Sequence, residues 1–285
     1  MATSSVRTVG VVGSGIMGSG LAEVVARAGM KVIVRSRQQA TADAMVATVG
    51  KGLAKQVEKG RLTDDERAAI LGRITAVADL SALADCDLII ESVVEDLATK
   101  KALIAELDAL AKPSALIATN TSTLPVIELA MSTKRPDKVC GIHFFNPAPA
   151  MPLVEIVRPL SASADTIDIA TAFAEACGKQ PVQVQDRAGF IVNALLFPYL
   201  NNAVRMMEQG TASKEDIDTA MKGGCNFPMG PFALLDLVGL DTSLAILDAL
   251  YDEFRDPNYA AVPTLRRMVA AGQLGRKTKV GFYSY

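Results

Sequence analysis

Short apolar runs recur along the first part of the chain, at 6–12, 31–34, 87–90, 115–118, 138–144 and 153–157, with Ala- and Leu-rich stretches of helical character between most of them. The runs are apolar throughout, as strands covered on both faces are. Alternation of this kind predicts an α/β fold whose N-terminal part is a Rossmann-type, doubly wound, mainly parallel sheet. A last short strand at 180–185 closes the pattern, and from there the periodicity is helical only, at 189–209, 214–221, 232–237, 242–254 and 264–270. The second part is therefore expected to be all-α, with the boundary near Asp186, which gives domains 1–185 and 186–285. Pro231 after Gly230 suits a first helical turn, and Ser213 with Asp216 three residues on forms an imperfect capping box.

Composition narrows the classes. No apolar run reaches the roughly eighteen residues of a membrane span, and the opening residues lead straight into a strand, so the expectation is a cytoplasmic protein with no membrane partner. Four scattered cysteines without a C-x-x-C pair read as reduced thiols, with neither a disulfide framework nor a metal site. A net charge of −2 offers nucleic acid no general attraction. The chain has one histidine, His143.

The stretch "GVVGSGIMG" from Gly10 follows a strand and opens a helix expected over 19–28. In Gly13-x-Gly15-x-x-Gly18 the glycines provide a tight turn, close approach to a pyrophosphate and close helix–strand packing, and Ile16 and Met17 complete the loop. The N–H groups of the helix then face the anion. Dinucleotide binding assigns 1–185 its role. The next strand ends in Arg35-Ser36-Arg37, where NAD-binding versions carry an acidic residue for the ribose hydroxyls. A hydroxyl flanked by guanidiniums, Ser36 with Arg37 above all, suits a 2′-phosphate, which favours NADP(H) while leaving NAD(H) open. The plainer alternative is a pair of solvated arginines at a strand end.

His143 stands in "CGIHFFNPAPAMPLVEIV", at the end of a predicted strand, where open α/β sheets bind ligands. A lone histidine in an apolar strand is ordinarily a satisfied core residue. Here Asn146-Pro147 turns the chain, and Glu155 follows inside another apolar run, where a carboxylate needs a partner. If the two strands are neighbours, Glu155 orients the imidazole for acid–base work. Upstream, "ATNTSTLP" reads either as a polar loop whose hydroxyls cap the helix near Pro125, or as a loop that presents Ser122 to a substrate oxygen. Asn193 is an amide on an otherwise apolar helix, and a buried amide calls for a partner that an interdomain site offers.

With these residues in place, the chain resembles the short-chain 3-hydroxyacyl-CoA dehydrogenase family. The likeness runs through the glycine loop, "ESVVED", "NTST", "HFFNP", "LVEIV", "DRAGFIVN", "SKEDID", "PMGPFALLDLVGLD" and "GFYSY". It implies reversible hydride transfer between a nicotinamide and C3 of a 3-hydroxyacyl-CoA, with short substrates such as 3-hydroxybutyryl-CoA and acetoacetyl-CoA. In that reading His143 is the acid/base, Glu155 its partner, and Ser122 and Asn193 hold the substrate oxygen. Glu95, Lys100, Asn146 and Ser122 line the nicotinamide end, and Lys277 approaches the cofactor. Ser36 replaces the family's acidic residue. The resemblance also implies a homodimer whose helical domain serves substrate binding and dimerisation. Lys51, Lys55 and Lys59, followed by Arg61, make one basic stripe on a helix. A solvated face is the ordinary reading of such a stripe, but the family seats coenzyme A there, so Lys59, with Lys55 and Ser122, is assigned to the thioester. Two rivals remain: a dehydrogenase acting on a free β-hydroxyacid, which typically relies on a lysine, and a non-catalytic dinucleotide-binding protein.

Overall fold

A computed structural model describes residues 5–285. It divides into two compact units, 1–186 and 187–285. The first is built on β1 (Thr8–Val12), β2 (Lys31–Arg35), β3 (Ile74–Val77), β4 (Leu88–Glu91), β5 (Leu116–Thr119), β6 (Val139–Phe144), β7 (Leu153–Arg158) and β8 (Gln180–Gln185). They form one eight-stranded sheet in the order β3-β2-β1-β4-β5-β6-β7-β8. Strands β1 to β6 are parallel; β7 pairs antiparallel with β6, and β8 runs parallel to β7. The doubly wound, mainly parallel sheet is thus present.

The helices of this unit are α1 (Ile16–Arg27), α2 (Gln39–Glu58), α3 (Asp64–Leu71), α4 (Leu97–Leu110), α5 (Val126–Ala130) and α6 (Ala164–Ala176). They cover both faces, and the central strands β4, β5 and β6 are buried at every position. One apolar cluster gathers Val9, Val11, Leu21, Val25, Val32, Val34 and Ile90. On the other face Val12, Ile89, Ile104, Leu107 and Ile117 pack together. This two-sided burial is what made the strands read as unbroken apolar runs.

Three local features differ from the sequence expectations. Helix α1 begins at Ile16, not at 19, which puts Ile16 and Met17 in its first turn. Strand β3 was not anticipated: it has only four residues, lies at the sheet edge and buries Ile74 alone. The hydroxyls of 121–123 do not cap α5. Its first amides, Val126 N–H and Ile127 N–H, donate instead to the Asp186 carboxylate at 2.9 and 2.6 Å, while Thr121 Oγ1 accepts from Leu124 N–H at 3.0 Å within the loop itself.

The second unit holds α7 (Val192–Glu208), α8 (Lys214–Cys225), α9 (Pro231–Val238), α10 (Leu240–Phe254) and α11 (Pro263–Ala270) around Phe197, Leu200, Val204, Phe232, Leu235, Leu247 and Leu250. Ser213 caps α8, accepting from Asp216 N–H at 3.1 Å, and Pro231 occupies the first turn of α9. Asp236 accepts from the Phe282 and Tyr283 amides at 2.9 and 2.8 Å and so ties the C-terminal segment to α9. Among the described residues no helix is long and apolar enough to cross a membrane, and no group of three or more His, Cys, Asp or Glu could hold a metal.

Candidate active site

Because β1, β4, β5 and β6 are parallel neighbours, their C-terminal ends bring the glycine loop, the 92–96 segment, the 120–125 loop and His143 to one edge of the sheet. This is where open α/β sheets bind ligands.

The glycine loop has the shape a dinucleotide requires. Gly13 has φ +126°, and a Cβ there would lie 2.2 Å from the Ser92 carbonyl oxygen. A Cβ on Gly18 would lie 2.0 Å from the Gly13 carbonyl oxygen, so this glycine permits the close contact of helix and turn. A Cβ on Gly15 would meet nothing within 4 Å: the space over it is open. Helix α1 has no side-chain cap and no acidic residue in its first turn, which leaves its N–H groups and partial positive charge for an anion. Ile16 is 77% exposed beside that opening.

At the end of β2, Ser36 is buried and its N–H donates to the Val77 carbonyl at 3.2 Å. The flanking arginines differ. Arg35 turns back, its Nε donating to the Ala78 carbonyl at 3.1 Å, whereas Arg37 is exposed. Of the two guanidiniums expected to meet a phosphate, Arg37 is thus the better placed.

His143 and Glu155 are directly opposed in the antiparallel β6–β7 ladder. Nδ1 of His143 lies 2.7 Å from Oε2 of Glu155, and Nε2 lies 3.0 Å from Oγ of Ser122. Glu155 is fully buried and His143 is 4% exposed, so this carboxylate is shielded and close to the ring. With Nδ1–H donating to Glu155, Nε2 of a neutral imidazole accepts from the serine hydroxyl. Asn120 braces the same corner, its Oδ1 accepting from Phe144 N–H at 2.8 Å. Beyond β6 the Asn146–Pro147 peptide is cis and Asn146 is exposed. Lys179 fixes the following turn by donating to the carbonyls of Ala148 and Met151 at 2.7 and 2.8 Å. Helix α1 packs on that turn: a Cβ on Gly20 would sit 3.2 Å from Ala148 Cβ, which joins the cofactor helix to the histidine loop.

Glu95, exposed, reaches the serine loop. Its Oε1 accepts from Thr121 Oγ1 at 2.5 Å, from Ser122 N–H at 2.9 Å and from Thr123 N–H at 3.3 Å. Lys100, expected to line the nicotinamide end, is only 1% exposed; its ammonium faces Glu91 and Glu95 from beneath. Lys51, Lys55 and Lys59 are exposed along α2 and at its C-cap, where the i, i+4, i+8 spacing sets them on one stripe. In the second unit Asn193 is buried in the first turn of α7, and Lys277 pairs with the Asp241 carboxylate.

The thiols form a separate pattern. Burial pushes Cys86, Cys140 and Cys177 up to about 12. Cys140, on β6 three residues before His143, is therefore a protonated, inert neighbour. Cys225, the last residue of α8, is exposed.

Residues 8–187 match the family model described as 3-hydroxyacyl-CoA dehydrogenase, NAD binding domain, and 189–285 match its C-terminal domain. The chain is 48% identical to a 3-hydroxybutyryl-CoA dehydrogenase of Mycobacterium tuberculosis, an alignment covering 99% of this chain and 100% of the relative. The crystal structure of M. tuberculosis FadB2 superposes with a TM-score of 0.96 at 48% identity, covering 98% of this chain and 99% of that one. The (S)-3-hydroxybutyryl-CoA dehydrogenase PaaH1 of Ralstonia eutropha gives 0.96 at 42% identity, with 99% of each chain covered. A nicotinamide cofactor accords with the first of these domains and with the open glycine loop. The chain belongs to the 3-hydroxyacyl-CoA dehydrogenase family.

Proposed function

We propose that the protein is a 3-hydroxyacyl-CoA dehydrogenase that interconverts 3-hydroxybutyryl-CoA and acetoacetyl-CoA, with His143 as the acid/base. The observation that carries this reading is the Ser122–His143–Glu155 alignment, at 3.0 and 2.7 Å, on the sheet edge that also carries the glycine loop.

The nicotinamide, when bound, supplies or accepts the hydride at C3. The chain's own residues handle the proton. In reduction His143 Nε2 gives a proton to the 3-keto oxygen; in oxidation it removes one from the 3-hydroxyl. Hydride and proton together account for the two hydrogens exchanged. Glu155 holds the ring in the tautomer that presents Nε2. The Ser122 hydroxyl, already on Nε2, steers the same oxygen towards it, and Asn193 of the second unit is assigned there by resemblance. Gly13, Gly15, Ile16, Met17 and Gly18 hold the pyrophosphate. Glu95 with Lys100 behind it, Asn146, Ser122 and Lys277 serve the nicotinamide end, and Lys59 with Lys55 the phosphates of coenzyme A.

For the adenosine ribose, Ser36 and the exposed Arg37 support NADP(H) over NAD(H). A serine in the acidic position removes the charge that would repel a 2′-phosphate, and a guanidinium beside it offers forked donors. The second unit exposes Leu195, Met206, Phe227 and Leu237, which supports its use as the face of a homodimer. The cytoplasm is the matching location.

The test is nicotinamide absorbance on adding acetoacetyl-CoA, with NADPH and NADH in parallel. Turnover with kcat/KM higher for NADPH is the expected result. No turnover of any 3-ketoacyl-CoA would overturn the activity; equal or better use of NADH would overturn the cofactor preference alone.

A further inference from the structure

Glu91, the last residue of β4, is fully buried in the middle of the sheet, beside Val12 of β1 and Thr119 of β5 in register. A carboxylate there needs compensation. It has three donors: Lys100 Nζ at 2.6 Å, Val93 N–H at 2.6 Å and Thr119 Oγ1 at 2.8 Å. Lys100 is itself 1% exposed, and its ammonium also lies 3.3 Å from Glu95 Oε2. One ammonium is therefore shared by two carboxylates. The second of these, through its other oxygen, gathers the Thr121 hydroxyl and the amides of Ser122 and Thr123. Ser122 Oγ then meets His143, and His143 meets Glu155.

We propose that Glu91 is a positioning residue for hydride transfer: by pinning the Lys100 ammonium it fixes Glu95, and Glu95 clamps the backbone of Ser122 so that its hydroxyl stands on His143. The inference rests on the functional reading above. Its physical basis is competition for one buried cation. While Glu91 is charged, Lys100 is held on the sheet side, and Oε1 of Glu95 stays on the loop amides through charge-assisted bonds. With the charge at position 91 removed, the ammonium, itself 1% exposed, has Glu95 as its nearby anion. It draws Glu95 inward, and the serine loop loses its clamp. Small displacements of a positioned group are costly in rate.

Glu91→Gln keeps the shape of the side chain and an acceptor oxygen for Val93 N–H, and removes the charge. Measured with acetoacetyl-CoA on the full-length protein, it is expected to lower kcat by about tenfold. A merely structural role would lower activity in any background, so the diagnostic is a double-mutant cycle. In a Ser122→Ala background Glu91→Gln should cost no more than about twofold, because the group it positions is gone. Thr119→Val removes the hydroxyl that donates to Glu91 and that accepts from Thr121 N–H at 3.2 Å, without touching a charge. It is expected to show the same Ser122 dependence with a smaller loss, and it serves alone should Glu91→Gln not fold. Wild-type kcat in Glu91→Gln, or an equal fold-loss with and without Ser122 for either variant, overturns the assignment. A wild-type protein that reduces no 3-ketoacyl-CoA overturns the functional reading instead, an outcome visible before any variant is made.

Discussion

His143 and Glu155 are cross-strand partners in the β6–β7 ladder, their side chains meeting at 2.7 Å on the same face of the sheet. The pair depends on register: side chains alternate across a strand, so a slip of one residue would turn Glu155 to the opposite face. Among the described residues the one antiparallel pairing in the sheet thus sets the proposed acid/base and its carboxylate partner side by side.

From this pair follows the first prediction. His143→Gln is expected to lower kcat by about a hundredfold or more, the usual worth of acid–base catalysis, while cofactor affinity stays nearly intact. Glu155→Gln should also lower kcat, by about tenfold or more, because the ring loses the charge that orients it. Stopped-flow kinetics with a parallel titration of the cofactor check both; a fully active His143→Gln protein would remove the assignment.

Gly141 permits the close approach of the two strands. It pairs with Val157, and a Cβ added to it would lie 2.7 Å from Val157 Cβ and 2.9 Å from Val157 Cγ2. Gly141→Ala is expected to destabilise the protein by about 1–3 kcal/mol through overpacking. It should also lower kcat, since His143 and Glu155 lie two residues along the same strands. Adding Val157→Ala should restore part of both losses, as read by thermal melting and steady-state rates.

Lys59 tests the proposed thioester site apart from that of the cofactor. Charge reversal, Lys59→Glu, is expected to raise the KM for acetoacetyl-CoA severalfold and leave that for the nicotinamide unchanged, in keeping with a lost phosphate contact. An unchanged thioester KM would return the α2 lysines to a solvated face.

Acid stability depends on Asp87. Burial pushes its carboxyl up, but the Lys112 ammonium at 2.6 Å and the N–H groups of Arg7 and Thr8 at 2.7 and 2.9 Å outweigh that and hold it below its ordinary value. A carboxyl depressed by folding contributes stability that is complete above the unfolded value, about pH 4, and lost as pH falls through the folded one. The difference in urea midpoint between wild type and Asp87→Asn should therefore be largest near neutrality and narrow as pH falls below about 4. A gap as wide at pH 3 as at pH 7 would show that the effect is not the charge.

What the sequence disclosed follows the range of the interactions. The glycine loop was legible because strand, turn and helix succeed one another within a few residues. The His143–Glu155 pair was legible because the two residues lie twelve positions apart on short apolar strands joined by a turn. Strand β3 left little trace, since four edge residues that bury one side chain make no pattern. The cap on α5 comes from Asp186, sixty residues away, and nothing near Pro125 announces it. Glu91 did leave a signal, an acidic residue closing the apolar run "LIIE", but its counter-ion nine residues on is identified only by the fold.

The distribution of sulfur gives the molecule a practical property. Alkylating reagents react with thiolates, and three of the four cysteines are held as thiols far above neutral pH by burial. Cys225, on the surface at the end of α8, is then the sole handle for selective chemistry, so a fluorophore or spin label can be attached to the helical unit while the strand that bears the histidine keeps its sulfur unmarked.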